Sequence, residues 1–153
     1  MTPADLRAEI DIELEAVGKV LAELSSLHAD IGNREPTVRE KTAAATFLAQ
    51  FYGGIENILK RISKFHKVPL PTGESWHFDL FERFCTPSYS PLPALFDNSL
   101  KAGLSPFRRF RHVVYHSYSF ELEWERMKEG IEKAPEIFSR FSGKVEDFLK
   151  SLM

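Results

Sequence analysis

The chain has one cysteine, Cys85, among its 153 residues. A single thiol excludes an internal disulfide and every metal site built from several cysteines, and it points to a reducing, cytoplasmic setting. Cys85 itself reads as a small buried hydrophobe. Charge of one sign is lacking too: 20 basic against 22 acidic side chains leave a net charge of −2. The chain as a whole therefore exerts no pull on nucleic acid, and any such contact has to come from a local basic patch. Long apolar runs are missing, and residues 1–30 carry acids throughout, so neither a signal peptide nor a membrane span is expected. No stretch alternates apolar and polar residues as a half-buried strand would, and there is no repeat or low-complexity tract.

What is present is an ordinary globular balance, 43% hydrophobic and 27% charged, with thirteen phenylalanines. That balance argues against disorder and for a core rich in aromatic rings. The length suits one domain spanning 1–153.

Helical periodicity runs through most of the chain. Thr2-Pro3-Ala4-Asp5 offers a cap, a proline in the first turn and an early acid. Leu6, Ile10, Leu14, Val17, Leu21, Leu24 and Leu27 then form one apolar stripe, closed by Gly32-Asn33. A second helix is predicted from the capping box Thr37-Val38-Arg39-Glu40, carrying Phe47, Phe51, Ile55, Ile58, Leu59 and Ile62 to about Lys64–His66. Trp76–Phe84 reads as a short helix with Trp76, Leu80, Phe81 and Phe84 inward, and Leu92–Leu100 as another helical piece. Ser105-Pro106 reads as a cap and first-turn proline opening a helix to about Tyr118. The remainder, about 121–152, is predicted helical, with a kink or restart at Pro135 and a final stripe of Phe141, Val145, Phe148 and Leu152. The fold class expected is an all-α, up-and-down helical bundle.

Only one segment concentrates residues with chemistry to offer: Phe107-Arg108-Arg109-Phe110-Arg111-His112-Val113-Val114-Tyr115-His116-Ser117-Tyr118. At about 100° per residue, Phe107, Phe110 and Val114 share the core face, while Arg108, His112 and His116 step along the opposite side with Arg109 beside them. Arg111 falls between, about 140° from His116 on an ideal helix, within reach of the same cleft for a long side chain. This kit suits phosphodiester cleavage. A guanidinium offers paired, permanently charged donors to phosphate oxygens, and an imidazole moves protons near neutrality. RNA carries its own nucleophile, the 2′-OH, so a proton acceptor and charge stabilisation suffice without a metal or other cofactor. The plain alternatives are a solvated cationic face and, for His112 and His116, a pair of metal ligands lacking a third. Tyr118 reads equally as an edge-of-core tyrosine, close to Phe107 in helical angle. His28, His66 and His77 are isolated and read as surface or structural histidines.

These residues resemble the HEPN superfamily, and within it the HepT-like toxins. That family is marked by an arginine, a histidine several residues on, and a tyrosine two positions beyond the histidine, met here by Arg111, His116 and Tyr118. His112 occupies a polar position next to the arginine where asparagine is frequent. Phe51-Tyr52-Gly53-Gly54-Ile55-Glu56-Asn57-Ile58-Leu59-Lys60-Arg61-Ile62, Trp76-His77 and Phe110-Arg111-His112 are similar to the family too, so the likeness spans roughly residues 40–150.

The resemblance implies a HEPN-type bundle of four to six helices and a metal-independent endoribonuclease whose site forms across a homodimer from two arginine–histidine motifs. His116 would be the proton-transfer group, Arg111 would hold the scissile phosphate, and His112 would assist. Tyr118 would be the position to which a nucleotidyltransferase antitoxin transfers AMP; phosphate added beside a cationic cleft repels RNA and occupies the cations. Arg108 and Arg109 match no defined family position and are expected to guide RNA through phosphate contacts. No catalytic role is carried over to Glu56 and Asn57, for which helix packing or capping is an equally good reason. A different class of function uses the same cleft: a non-catalytic module that binds a nucleotide or docks a nucleotidyltransferase.

Overall fold

Thr2 and Thr37 both start helices, each by the reciprocal pattern their sequences predict. In the computed structural model, which describes residues 1–153, the Thr2 hydroxyl accepts from the Asp5 amide and the Asp5 carboxylate accepts from the Thr2 amide. Thr37 and Glu40 repeat the arrangement. Each box satisfies amides that an uncapped helix leaves bare, and each cap is worth about 1 kcal/mol. The elements that follow are α1 (Pro3–Ile31), α2 (Val38–Phe65), α3 (Trp76–Glu82), α4 (Asn98–His116) and α5 (Trp124–Ser151), with one 3-10 turn at Ser119–Glu121. There is no strand; an isolated bridge joins Cys85 to Phe96.

The bundle is built on the α1/α2 hairpin. Leu6, Ile10, Val17, Leu24 and Ile31 are fully buried along α1, and Phe51, Ile55, Ile58, Leu59 and Ile62 along α2. The helices run antiparallel, and Arg61 of α2 is paired with both Glu9 and Glu13 of α1. α5 lies antiparallel to α1, tied at its ends by Arg7–Glu146 and His28–Glu132. α4 meets α5 where Gly103 faces Ile137, and Arg140 reaches Ser99. One core of 31 buried residues joins all five helices. Its centre is aromatic, as the composition predicts: Phe51 meets Phe107 edge-on with ring centroids 5.0 Å apart, and Phe81 stacks on Phe96, which touches Phe141. Cys85 is buried in the same core, where burial pushes its thiol up to about 11.

The structure corrects four boundaries. α4 starts at Asn98, not at Ser105-Pro106, because the Asp97 carboxylate accepts from the Leu100 amide at 2.8 Å and caps the helix there. Ser105 does not cap: its hydroxyl donates back to the Lys101 carbonyl, and Pro106 sits inside the helix on its exposed face. Leu92–Asp97 is not helical; Phe96 donates its amide to the Phe84 carbonyl instead. α4 also stops at His116, with Ser117 extended, so Tyr118 lies outside the helix and off the core. Pro135 causes no restart, since it too lies on an exposed helix face and α5 continues through it. In α5 the fully buried continuation of the final stripe is Leu149, while Phe148 and Leu152 are only partly covered. No helix is long and apolar enough to cross a membrane.

Candidate functional site in the cleft beside helix α4

Leu100, Leu104 and Phe107 anchor the first half of α4 in the core. Its second half leaves that anchor, with Phe110 and Val114 still partly covered and the other side chains turned toward a cleft. The cleft measures about 680 Å³. α4 contributes Arg108, Arg109, Arg111, His112 and His116; Tyr52 of α2 and His77 and Phe78 of α3 stand opposite, and Glu74 is the one acid on the wall. On a chain of net charge −2, this is a strongly cationic hollow with low-dielectric walls, a shape that concentrates field on an anionic ligand.

Arg111 and His116 thus line the same hollow although an ideal helix separates them by about 140°. The guanidinium accomplishes this by leaning: it lies over the Tyr115 ring at 5.1 Å and reaches back toward α2 and α3. Gly53 lies alongside it, where a methyl would meet Arg111 Nε at an ordinary 3.8 Å. His112 and His116, one turn apart, hold their rings 4.3 Å from each other. Arg109 is exposed on the rim. Arg108 is half-buried, its guanidinium over Phe78 and Phe81 at 4.9 and 5.6 Å, so it forms wall as much as free cation.

Two groups read from sequence as uninvolved turn out to sit at the centre. Glu56 is buried, with 2% of its side chain exposed, and its Oε2 lies 2.6 Å from Nδ1 of His77. Arg111 Nη1 is 3.9 Å from the other carboxylate oxygen and 3.3 and 3.5 Å from Nδ1 and Nε2 of His77. A buried carboxylate left alone would cost several kcal/mol, and these two partners are what offset it. The expectation that His77 is isolated therefore fails: the α3 start carries it onto α2. An ionised carboxylate only accepts, so Nδ1 of His77 donates to Glu56. Trp76 braces the other side of the ring at 3.6 Å, with the Lys60 ammonium over the indole.

Tyr52, about half a turn before Gly54, adds a further oddity. It is buried, its hydroxyl has no hydrogen-bond partner in the protein, and it lines the cleft. Burial raises its phenol far above the ordinary value, with the nearby Glu56 carboxylate acting in the same direction, so the hydroxyl stays a donor. Tyr118 lies just beyond the helix end, 70% exposed, stacked on Phe120. No group of three or more His, Cys, Asp or Glu side chains is placed to hold a metal ion.

A smaller cleft of about 400 Å³ opens on the far side of Arg111, between α1 and α2, lined by Gly53, Glu56, Asn57 and Lys60 among others. Arg111 and Tyr115 separate the two hollows and line both.

No curated protein and no solved structure matches the chain. The model of one protein family, described as HepT-like protein, matches residues 43–152, from the second turn of α2 to one residue past the end of α5. That span covers both walls of the cleft and the whole arginine–histidine segment. The all-helical bundle and the family match agree, and the chain belongs to the HepT-like family.

Proposed function

We propose that this protein is the toxin of a HepT-type toxin–antitoxin pair, a metal-independent endoribonuclease that cleaves RNA by attack of the 2′-OH on the adjacent phosphate. The observation that carries the proposal is the placement of Arg111 and His116 on one cationic hollow of nucleotide-binding size. Arg111 grips the scissile phosphate through paired N–H donors and opposes the charge of the pentacoordinate state. His116 transfers a proton, and His112, its ring tilted against the other at 4.3 Å, supports its position. Arg108 and Arg109 hold neighbouring phosphates of the strand. A homodimer brings a second copy of the Arg111–His116 motif to the site. A nucleotidyltransferase antitoxin neutralises the toxin by adding AMP to Tyr118, whose exposed hydroxyl stands two residues past His116.

Arg111→Ala and His116→Ala are expected to lower RNA cleavage by about 100-fold or more, with helical content and dimer mass retained. Wild-type activity persists in excess EDTA and leaves 2′,3′-cyclic phosphate and 5′-hydroxyl ends. Undiminished cleavage by His116→Ala, or a strict metal requirement, overturns the mechanism. Tight nucleotide binding without any cleavage would replace it with a non-catalytic docking module.

A further inference from the structure

Cleavage by an internal 2′-OH has two proton movements: one off the attacking oxygen and one onto the leaving 5′-oxygen. His116 supplies one imidazole. The cleft contains a second with features His116 lacks. His77 faces the same hollow, one-third of its side chain is exposed, and a buried carboxylate fixes its ring through Nδ1. Trp76 holds the plane of that ring from behind.

Arg111 meets the same ring, its Nη1 3.3 Å from Nδ1 and 3.5 Å from Nε2. With Nδ1–H given to Glu56, Nε2 is the ring nitrogen left to take a proton. When Arg111 turns its donors to a phosphate, Nε2 stands next to the phosphate just gripped. Glu56 then stabilises the imidazolium that forms, the relation of carboxylate to histidine in a hydrolytic triad.

We propose that His77 is the general base of this cleft and Glu56 its positioning residue, so that a single protomer holds proton acceptor, phosphate clamp and proton donor. The proposal rests on the ribonuclease reading above. Nε2 of His77 takes the proton of the 2′-OH, and the 2′-oxygen bonds to phosphorus. The bond from phosphorus to the 5′-oxygen breaks, and that oxygen takes a proton from the His116 imidazolium. The products are a 2′,3′-cyclic phosphate and a free 5′-hydroxyl.

The test uses the full-length protein and four DNA oligonucleotides, each carrying one ribonucleotide (A, C, G or U), so that only one bond is open to this chemistry. Each is made with either oxygen or sulfur at the 5′-bridging position; a thiolate departs without a proton, so loss of a general acid is masked on sulfur and loss of a base is not. Single-turnover rates are expected to fall about 100-fold for His116→Ala on oxygen and to recover on sulfur, whereas His77→Gln and His77→Asn lose about 100-fold on both. Glu56→Gln, which keeps an acceptor for Nδ1–H, retains more activity than Glu56→Ala on both substrates. On the sulfur substrate the rise of rate with pH persists in His116→Ala and vanishes in His77→Gln.

Circular dichroism confirms that each variant is folded, and the Gln and Asn variants check each other. Oxygen-substrate rates within about threefold of wild type in the His77 variants, below the smallest contribution expected of a general base, overturn the proposal and leave the ribonuclease reading standing. Recovery of those variants on sulfur also overturns it, since His77 would then be the acid. A wild-type protein that cuts none of the four oligonucleotides overturns both readings together.

Discussion

Gly54 of α2 crosses Val17 of α1 so closely that a methyl on Gly54 would overlap the Val17 Cγ2. The contact sets how near the two helices of the hairpin approach, and it lies directly behind the stretch of α2 that carries Tyr52 and Glu56. Val17 is itself buried and held by the core, so it cannot swing away as a surface side chain would. Gly54→Ala is expected to destabilise the fold by about 1–3 kcal/mol through overpacking. Its neighbour is a control: a methyl on Gly53 meets only Arg111 Nε at an ordinary 3.8 Å. Gly53→Ala therefore leaves stability level or raises it by up to about 1 kcal/mol from helix propensity. Urea denaturation of the two variants decides the point, and equal losses would contradict it.

Tyr52 separates stability from function in the opposite direction. A buried hydroxyl without a partner carries a desolvation cost in the free protein that a ligand oxygen can remove. Tyr52→Phe is expected to keep or raise the melting temperature while weakening oligoribonucleotide binding by about tenfold, the equivalent of one hydrogen bond. Thermal melts and fluorescence anisotropy on the same preparation measure both. A variant that melts lower with unchanged affinity would show that the hydroxyl serves the fold.

At Tyr118 no stability change is expected, because the side chain is 70% exposed and contacts only Phe120 among aromatic rings. Tyr118→Phe is expected to cleave RNA within about threefold of wild type yet to escape neutralisation when the nucleotidyltransferase and ATP are added. Intact-mass spectrometry reads the transfer as AMP-sized additions on the wild type and none on the variant. Addition persisting on Tyr118→Phe would move the modification elsewhere.

Stability should fall with acid in two separate windows. Burial lowers the pKa of His66, which sits between Phe65 and Phe148. Its folded value thus lies below the unfolded one, the unfolded chain binds more protons, and stability present above the ordinary histidine value of 6.5 is lost as pH drops below it. Glu40 titrates later: its hydrogen bond to Arg34, with help from the Thr37 amide, holds it at about 2 against an ordinary 4.5. The Glu40 contribution is intact above pH 4.5 and disappears toward pH 2. Melting temperatures across pH 7.5–3 check this. His66→Phe should flatten the upper window alone, and Glu40→Gln should shrink the lower one, to which Asp5, Glu129 and Glu146, also held below the ordinary carboxylate value, contribute the rest.

The bundle was readable because its signals are local. Thr2 and Thr37 cap within three residues of chain, and the stripes of α1 and α2 repeat every turn. The start of α4 is not legible locally, because Ser105-Pro106 and Asp97 are both plausible openings and the choice between them depends on Leu100 and Leu104 finding the core. That is a tertiary outcome. The site divides in the same way. Arg108, Arg109, Arg111, His112 and His116 stand out by their density on one short segment. Glu56 offered a subtler sign, a carboxylate set among Tyr52, Ile55 and Leu59 on the buried side of α2. A charge on an apolar stripe has to have a partner. Sequence alone could not name that partner, because His77 lies 21 residues away across an irregular loop.

Arg111 is a partition shared by two rooms. Its front opens on the arginine- and histidine-lined cleft, and the back wall belongs to the hollow between α1 and α2. A ligand in the rear chamber lies against the guanidinium that, on the proposed mechanism, turns forward to meet substrate. A small molecule lodged there would compete for that guanidinium without ever entering the path of the nucleic acid, and excess substrate would weaken its hold in return.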